Sequence, residues 1–222
     1  GYDFITDVAT AGDGNGRDSD PTDPGDFATC NGVARDSSWH GTHVAGTIGA
    51  LSNNGTGVAG VNHVSKILPV RVLGKCGGYT SDIVDAIRWS AGLPVNGVAN
   101  NANPAKVINM SLGGGYACSA APSYQSAIDA ANAAGATVVV SAGNSNADAS
   151  GFSPASCNNV VTVASTGRTG SRAYYSNYGA TVEISAPGGD FNVDTGVLST
   201  LNAGASTAGA HNYASYQGTS MA

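Results

Sequence analysis

From Lys66 to Ala186 the chain alternates short apolar runs with segments of helical periodicity, and this alternation restricts the fold more than any other feature. Lys66–Leu73, Val107–Leu112, Thr137–Ser141, Val160–Ala164 and Val182–Ala186 have the length and β-branched content of strands buried on both faces. A helix is predicted from Thr80 or Ser81 to near Gly92, with Ile83, Val84, Ile87 and Trp89 on it. Another over Pro122–Ala134 places Ala127, Ile128, Ala131 and Ala134 at helical spacing and stops at Gly135. Strands that alternate with helices give a parallel sheet with helices on its faces, an α/β fold. No internal repeat or linker divides the 222 residues, which are enough to bury one core, so residues 1–222 are read as a single domain.

Composition removes several function classes. The net charge is −6 and no Lys/Arg cluster occurs, which excludes a nucleic-acid surface as the organising feature. No apolar run reaches membrane-spanning length. Four cysteines without Cys-x-x-Cys or Cys/His ligand spacing suit an oxidising compartment rather than zinc, and they allow three pairings. The chain has no initiator Met and no signal peptide, so it is read as a processed or partial product.

In an open parallel sheet, chemistry sits beyond the carboxyl ends of the strands. Two glycine-containing loops fall there, Leu112–Gly115 and Ser141–Ser145. The first can offer bare backbone to an extended peptide. The second holds Asn144, whose side-chain amide is a neutral donor suited to a developing oxyanion. Gly218-Thr219-Ser220-Met221-Ala222 can present a serine hydroxyl, with Thr219 capping a helix that begins at or near Ser220. His40 precedes a helix predicted over His40–Ala50 and can act as general base. The glycines of that helix cost about 1 kcal/mol each relative to alanine, which makes sense if its backbone lies close against a neighbour. His43 is read as a structural neighbour, and His63 and His211 receive no role. Residues 1–38 are predicted to be irregular. Within them Asp13, Asp18, Asp20, Asp23 and Asp26, spaced by Gly and Pro, could wrap oxygens around Ca2+.

His40-Gly41-Thr42-His43-Val44-Ala45-Gly46, Val107–Gly114, Ser141-Ala142-Gly143-Asn144 and Gly218–Ala222 together resemble the subtilisin-like serine proteases, in the family's order and over nearly the whole chain. The resemblance implies a three-layer sandwich with a mostly parallel, doubly wound sheet. It implies a secreted, calcium-binding serine endopeptidase in which Ser220 is the nucleophile, His40 its base and Asn144 the oxyanion donor. Ser111, Leu112, Gly113, Ala142 and Gly143 would wall the pocket for the residue before the scissile bond. Asn54, in a loop similar to the family's calcium loop, would be a further ligand. The bridges implied are Cys30–Cys76 and Cys118–Cys157. Protein or peptide substrates, an N-terminal propeptide in the precursor and a monomeric enzyme belong to the same expectation, without nucleic acid or membrane partners. The family's catalytic Asp ends a core strand that no Asp of this sequence follows. The Asp is therefore expected upstream of Gly1, the helix after Ser220 is expected to continue past Ala222, and the segment alone is expected to be inactive or nearly so. The alternative is a non-catalytic calcium-binding or adhesion module on the same scaffold. An α/β-hydrolase esterase is excluded, because Gly-x-Ser-x-Gly is absent and the base precedes the nucleophile.

Overall fold

The computed structural model describes all 222 residues. In chain order its elements are β1 (Tyr2–Asp3), α1 (Val8–Ala11), β2 (Ala28–Cys30), β3 (Val33–Arg35), α2 (His40–Gly49), β4 (Val70–Arg71), α3 (Thr80–Ser90), β5 (Val107–Met110), α4 (Pro122–Ala133), β6 (Thr137–Ser141), β7 (Val161–Thr166), β8 (Ile184–Pro187), β9 (Val197–Asn202) and β10 (His211–Tyr216). The fold is α/β with a parallel sheet, and it divides into two compact units, residues 1–86 with 199–214 and residues 87–198 with 215–222.

The second unit is built on β5-β6-β7-β8, every neighbouring pair parallel. Parallel order sends β5 and β6 out at the same edge, so the loops after Met110 and Ser141 emerge side by side. Val138 and Val140 of β6 are buried, as are Ile108 and Met110 of β5. α4 begins with Pro122 in its first turn, where the missing N–H costs nothing. It buries Tyr124, Ala127, Ile128 and Ala131, and the chain turns away at Gly135 with φ 86°. Fully burying side chains such as Ile128 and Val138 contributes about 1.5–3 kcal/mol each. Cys118–Cys157 closes a loop within this unit, and Cys30–Cys76 closes one within the other, the pairings that the resemblance implies.

In the first unit, Phe4 and Ile5 are fully buried behind the short parallel pair β1–β4. Asp3 is fully buried too. Its carboxylate accepts from Ile5 N (2.7 Å) and pairs with Arg71, which also reaches Asp13 (3.1 Å) and the carbonyl of Ala11. Helix α2 packs its start and middle against residues 199–214 of the same unit. His43 is completely buried with Nε2 3.0 Å from Ala214 O, while Ser199 Oγ donates to His43 O (2.7 Å) and Thr200 Oγ1 to Thr42 O (2.9 Å). Gly46 explains why that helix tolerates glycine. A Cβ there would stand 2.0 Å from Thr200 Oγ1 and 2.5 Å from Ser199 Oγ, and neither hydroxyl can withdraw without losing its bond to the helix. A Cβ on Gly41 meets nothing within 4 Å. Gly46→Ala is therefore expected to destabilise by about 1–2 kcal/mol, overpacking outweighing the gain in propensity. Gly41→Ala should stabilise by up to about 1 kcal/mol. Denaturant midpoints of the two variants measure this; equal shifts would refute close packing at Gly46.

Several expectations need correction. The strand over Lys66–Leu73 shrinks to β4, because Pro69 lacks an N–H and Ile67 and Leu73 are exposed. Residues 1–38 contain β1, α1 and the antiparallel pair β2–β3. The acidic segment does not form a cation cage: no group of three or more His, Cys, Asp or Glu side chains is placed to hold a metal ion. Asp13 accepts from Asn15 N and pairs with Arg71, Asp18 accepts from Asp20 N, Asp20 from Thr22 N, Asp23 from Gly25 N, and Asp26 from Ser38 N and Oγ. Asn54 likewise accepts from Thr56 N. Local turns hold Asp18, Asp20, Asp23 and Asn54, while Asp13 also pairs with Arg71 and Asp26 bonds to Ser38, so the six do not fit one calcium ion as arranged.

Candidate active site

Ser220 lies half-buried on a turn closed by Met221 N donating to Gly218 O (3.0 Å), where a helix start was expected. Two bonds hold that turn to the sheet edge: Gly218 N donates to Gly188 O (3.0 Å), and Ser111 Oγ donates to Ser220 O (2.9 Å). Asn109 Nδ2 in turn donates to Ser111 Oγ (3.0 Å). Beneath the turn, the Tyr175 hydroxyl donates to Gly189 O (2.6 Å) and lies 2.7 Å from Ser165 Oγ. Burial pushes the Tyr175 phenol above its ordinary pKa, so it stays a neutral donor. The Ser220 hydroxyl reaches only Ser111 O, at 3.4 Å, which is long for an O–H donor and leaves the oxygen uncommitted.

Thr219 does not cap a helix. Its N–H and its hydroxyl both donate to Asn144 Oδ1, at 2.9 and 2.8 Å, and its oxygen accepts from Gly143 N (3.1 Å). This fixes which end of the Asn144 amide is which. The oxygen is occupied twice, while Nδ2 makes no hydrogen bond within the chain. Nδ2 and Ser220 N border common space beside Gly218, 3.6 and 3.7 Å from where a Cβ on that glycine would stand. Two N–H donors that border one space are the material from which an oxyanion hole can be built.

A cavity of about 310 Å³ opens alongside. Leu112, Gly113, Ala142 and Gly143 line it, together with Asn144 and Ser220. Ser111 is not in its wall; it serves the backbone of Ser220 instead. Sequence reasoning missed Phe152, Ser153 and Ala155, which form the remaining side. It also missed that Ser153 pairs with Gly114 in both directions (2.8 and 3.0 Å), taking part of the glycine edge read as bare. No charged side chain lines the cavity.

His40 belongs to the other unit, at the first position of α2. Trp39 before it has the left-handed φ of 49°, is buried, and donates from Nε1 to Gly204 O (2.7 Å), which fixes the direction in which the chain enters the helix. Only an aromatic anchor next to His40 could have signalled this in the sequence. Burial holds the His40 pKa below its ordinary value, His43 acts in the same direction, and Asp26 opposes them. The ring makes no hydrogen bond within the chain, and its N–H of the backbone donates to Ser38 Oγ (3.4 Å).

Comparison with known proteins places the chain in a family. The chain is 56% identical over 227 residues to an "Extracellular protease" of Xanthomonas campestris pv. campestris, covering all of this chain and 38% of that protein. It is 50% identical over 231 residues to an "Extracellular basic protease" of Dichelobacter nodosus, covering all of this chain and 37% of the relative. It thus spans under two-fifths of the length of these relatives. Among solved structures, proteases from Pseudoalteromonas arctica superpose with a TM-score of 0.96 at 54% identity, over 100% of this chain and 67% of that one. A cold adapted subtilisin-like serine proteinase gives 0.63 at 33% identity, over 100% and 62%. The Subtilase family, peptidase S8, matches residues 10–222, and the chain belongs to that family.

Proposed function

We propose that the protein is a secreted serine endopeptidase that cleaves peptide bonds in proteins through an acyl-enzyme. Ser220 Oγ attacks the carbonyl carbon while His40 takes its proton. The negative charge that develops on the carbonyl oxygen receives N–H bonds from Asn144 Nδ2 and Ser220 N. Collapse expels the amine with the proton from His40, and water then attacks the ester by the same route in reverse. The side chain before the scissile bond enters the cavity walled by Leu112, Gly113, Ala142 and Gly143; without a charged wall, it takes uncharged side chains. A carboxylate from upstream of Gly1 would hold the free His40 ring in the right tautomer. A propeptide in the precursor and a monomeric mature enzyme complete the reading.

The observation that carries it is the orientation of Asn144, whose oxygen is held by Thr219 so that its donor end is left free beside Ser220. In the intact protein, a fluorophosphonate is expected to label Ser220, located by peptide mass mapping, and His40→Ala should slow the labelling by orders of magnitude. A folded protein that leaves Ser220 unlabelled and cleaves no peptide would favour a binding module on the same scaffold.

A further inference from the structure

We infer that Asn177 is a positioning residue for the oxyanion donor Asn144, an inference that rests on the function proposed above. Asn177 lies between β7 and β8 and is completely buried. All three of its side-chain bonds go to the loop after β6. Nδ2 donates to Ala142 O (2.8 Å), and Oδ1 accepts from Ser145 N (2.9 Å) and Ala147 N (3.2 Å). Its backbone N–H donates to Gly143 O (2.9 Å). The residues on both sides of Asn144 are therefore gripped by one side chain that does not touch the Asn144 amide itself.

The approach is close. Gly143 has φ 104°, and a Cβ there would lie 2.3 Å from Asn177 Nδ2, so the loop rests directly on this amide. Asn177 is anchored in its turn: Ser176 Oγ donates to Asn177 O (3.0 Å) and accepts from Ser165 N (2.9 Å) on β7. A continuous path thus runs from a central strand through Ser176 and Asn177 to the loop that carries the donor. Thr219 sets the rotation of the Asn144 amide, and Asn177 sets where its Cα stands. An oxyanion donor must be held to about 0.5 Å to act on the transition state, and past Ala142, whose N–H donates to Val163 O on β7 (2.9 Å), this loop's N–H and C=O groups have no partner on a strand of the sheet.

The test is a double-mutant cycle in the intact enzyme, with kcat and KM measured on a peptide substrate. Asn144→Ala should lower kcat by about 10²–10³, the range known from subtilisin itself. Asn177→Ala should lower kcat by roughly tenfold to a hundredfold with KM within about twofold, the mark of a lost transition-state interaction. In the Asn144→Ala background the same change should cost less than about threefold, since no donor remains to misplace. Asn177→Asp matches the residue in size and keeps both acceptor bonds, but it replaces the donation to Ala142 O with a carboxylate oxygen facing that carbonyl; it carries the comparison if Asn177→Ala does not fold, and should be impaired in kcat as well. Equal losses from Asn177→Ala or Asn177→Asp with and without Asn144 would show a general structural role and overturn the inference, as would a wild-type kcat in folded Asn177→Asp. If Asn144→Ala leaves kcat unchanged within about threefold, the premise fails and the inference with it, a result distinct from loss at Asn144 without loss at Asn177.

Discussion

Replacing Ser220 with alanine is expected to lower kcat by about a million-fold while leaving the fold intact. That magnitude is the one known for the nucleophile of subtilisin, a member of the same family. The variant keeps what does not depend on the hydroxyl: the Asn144 and Ser220 N–H groups, the cavity and the turn. Those parts are the source of the residual acceleration of about 10³–10⁴ over water that survives loss of the nucleophile. Stability should change by less than about 1 kcal/mol, because the Ser220 hydroxyl makes one long bond to Ser111 O at 3.4 Å and no other. The carbonyl of Ser220, which anchors the turn through Ser111 Oγ, is untouched. Turnover above about one per cent of wild type in the purified variant would place the nucleophile elsewhere.

Arg71→Leu is expected to cost about 3–5 kcal/mol of stability, because it strands a buried carboxylate. Asp3 is fully buried, and its remaining partner after the change is Ile5 N. An exposed pair would lose only about 0–1 kcal/mol. Burial raises the Asp3 pKa above its ordinary value, and Ile5 N–H and Arg71 hold it back. A carboxyl whose folded pKa is raised favours the fold below its unfolded pKa, near 4, and loses that contribution as pH climbs through the raised value. Removing Arg71 lifts the folded value further and widens that window. The deficit of Arg71→Leu should therefore be smallest near pH 4 and grow toward pH 7. Denaturant midpoints across that range measure it, and a deficit independent of pH would show that the Asp3 charge is not its cause. Asp3→Asn combined with Arg71→Leu should recover much of the loss, since the stranded charge is gone.

What was legible in the sequence was what neighbours along the chain determine. Thr137–Ser141 and the helix from Pro122 match the structure to within a residue, because β-branched runs and alanine spacing report burial directly. Leu112, Gly113, Ala142, Gly143, Asn144 and Ser220 stood out as parts of short motifs, whereas Phe152, Ser153 and Ala155 of the same cavity did not. What failed was polar chemistry with two local outcomes. A carboxylate followed by Gly or Pro can hold a cation or its own turn, and in Asp13–Asp26 the turns prevail. Thr219 has the look of a helix cap, yet its partner is Asn144, 75 positions away. Asn177 has no pattern around it at all, although it supports the loop next to the reacting groups. β9 and β10 escaped notice because their residues are half-exposed and mixed in polarity, without the apolar run that marks the central strands.

Where Gly113, Gly114, Gly115 and Gly143 line the cavity, the wall is main chain. Backbone offers the same amide groups whatever codon lies beneath it, so drift cannot repaint that surface in a new polarity. A Cβ on Gly143 would stand 2.3 Å from Asn177 Nδ2 and one on Gly114 2.5 Å from the Tyr116 ring, so replacement there strikes the scaffold itself. On the remaining side Ser153 and Ala155 are almost fully buried, so a change in the character of the recess falls first to the half-buried Phe152.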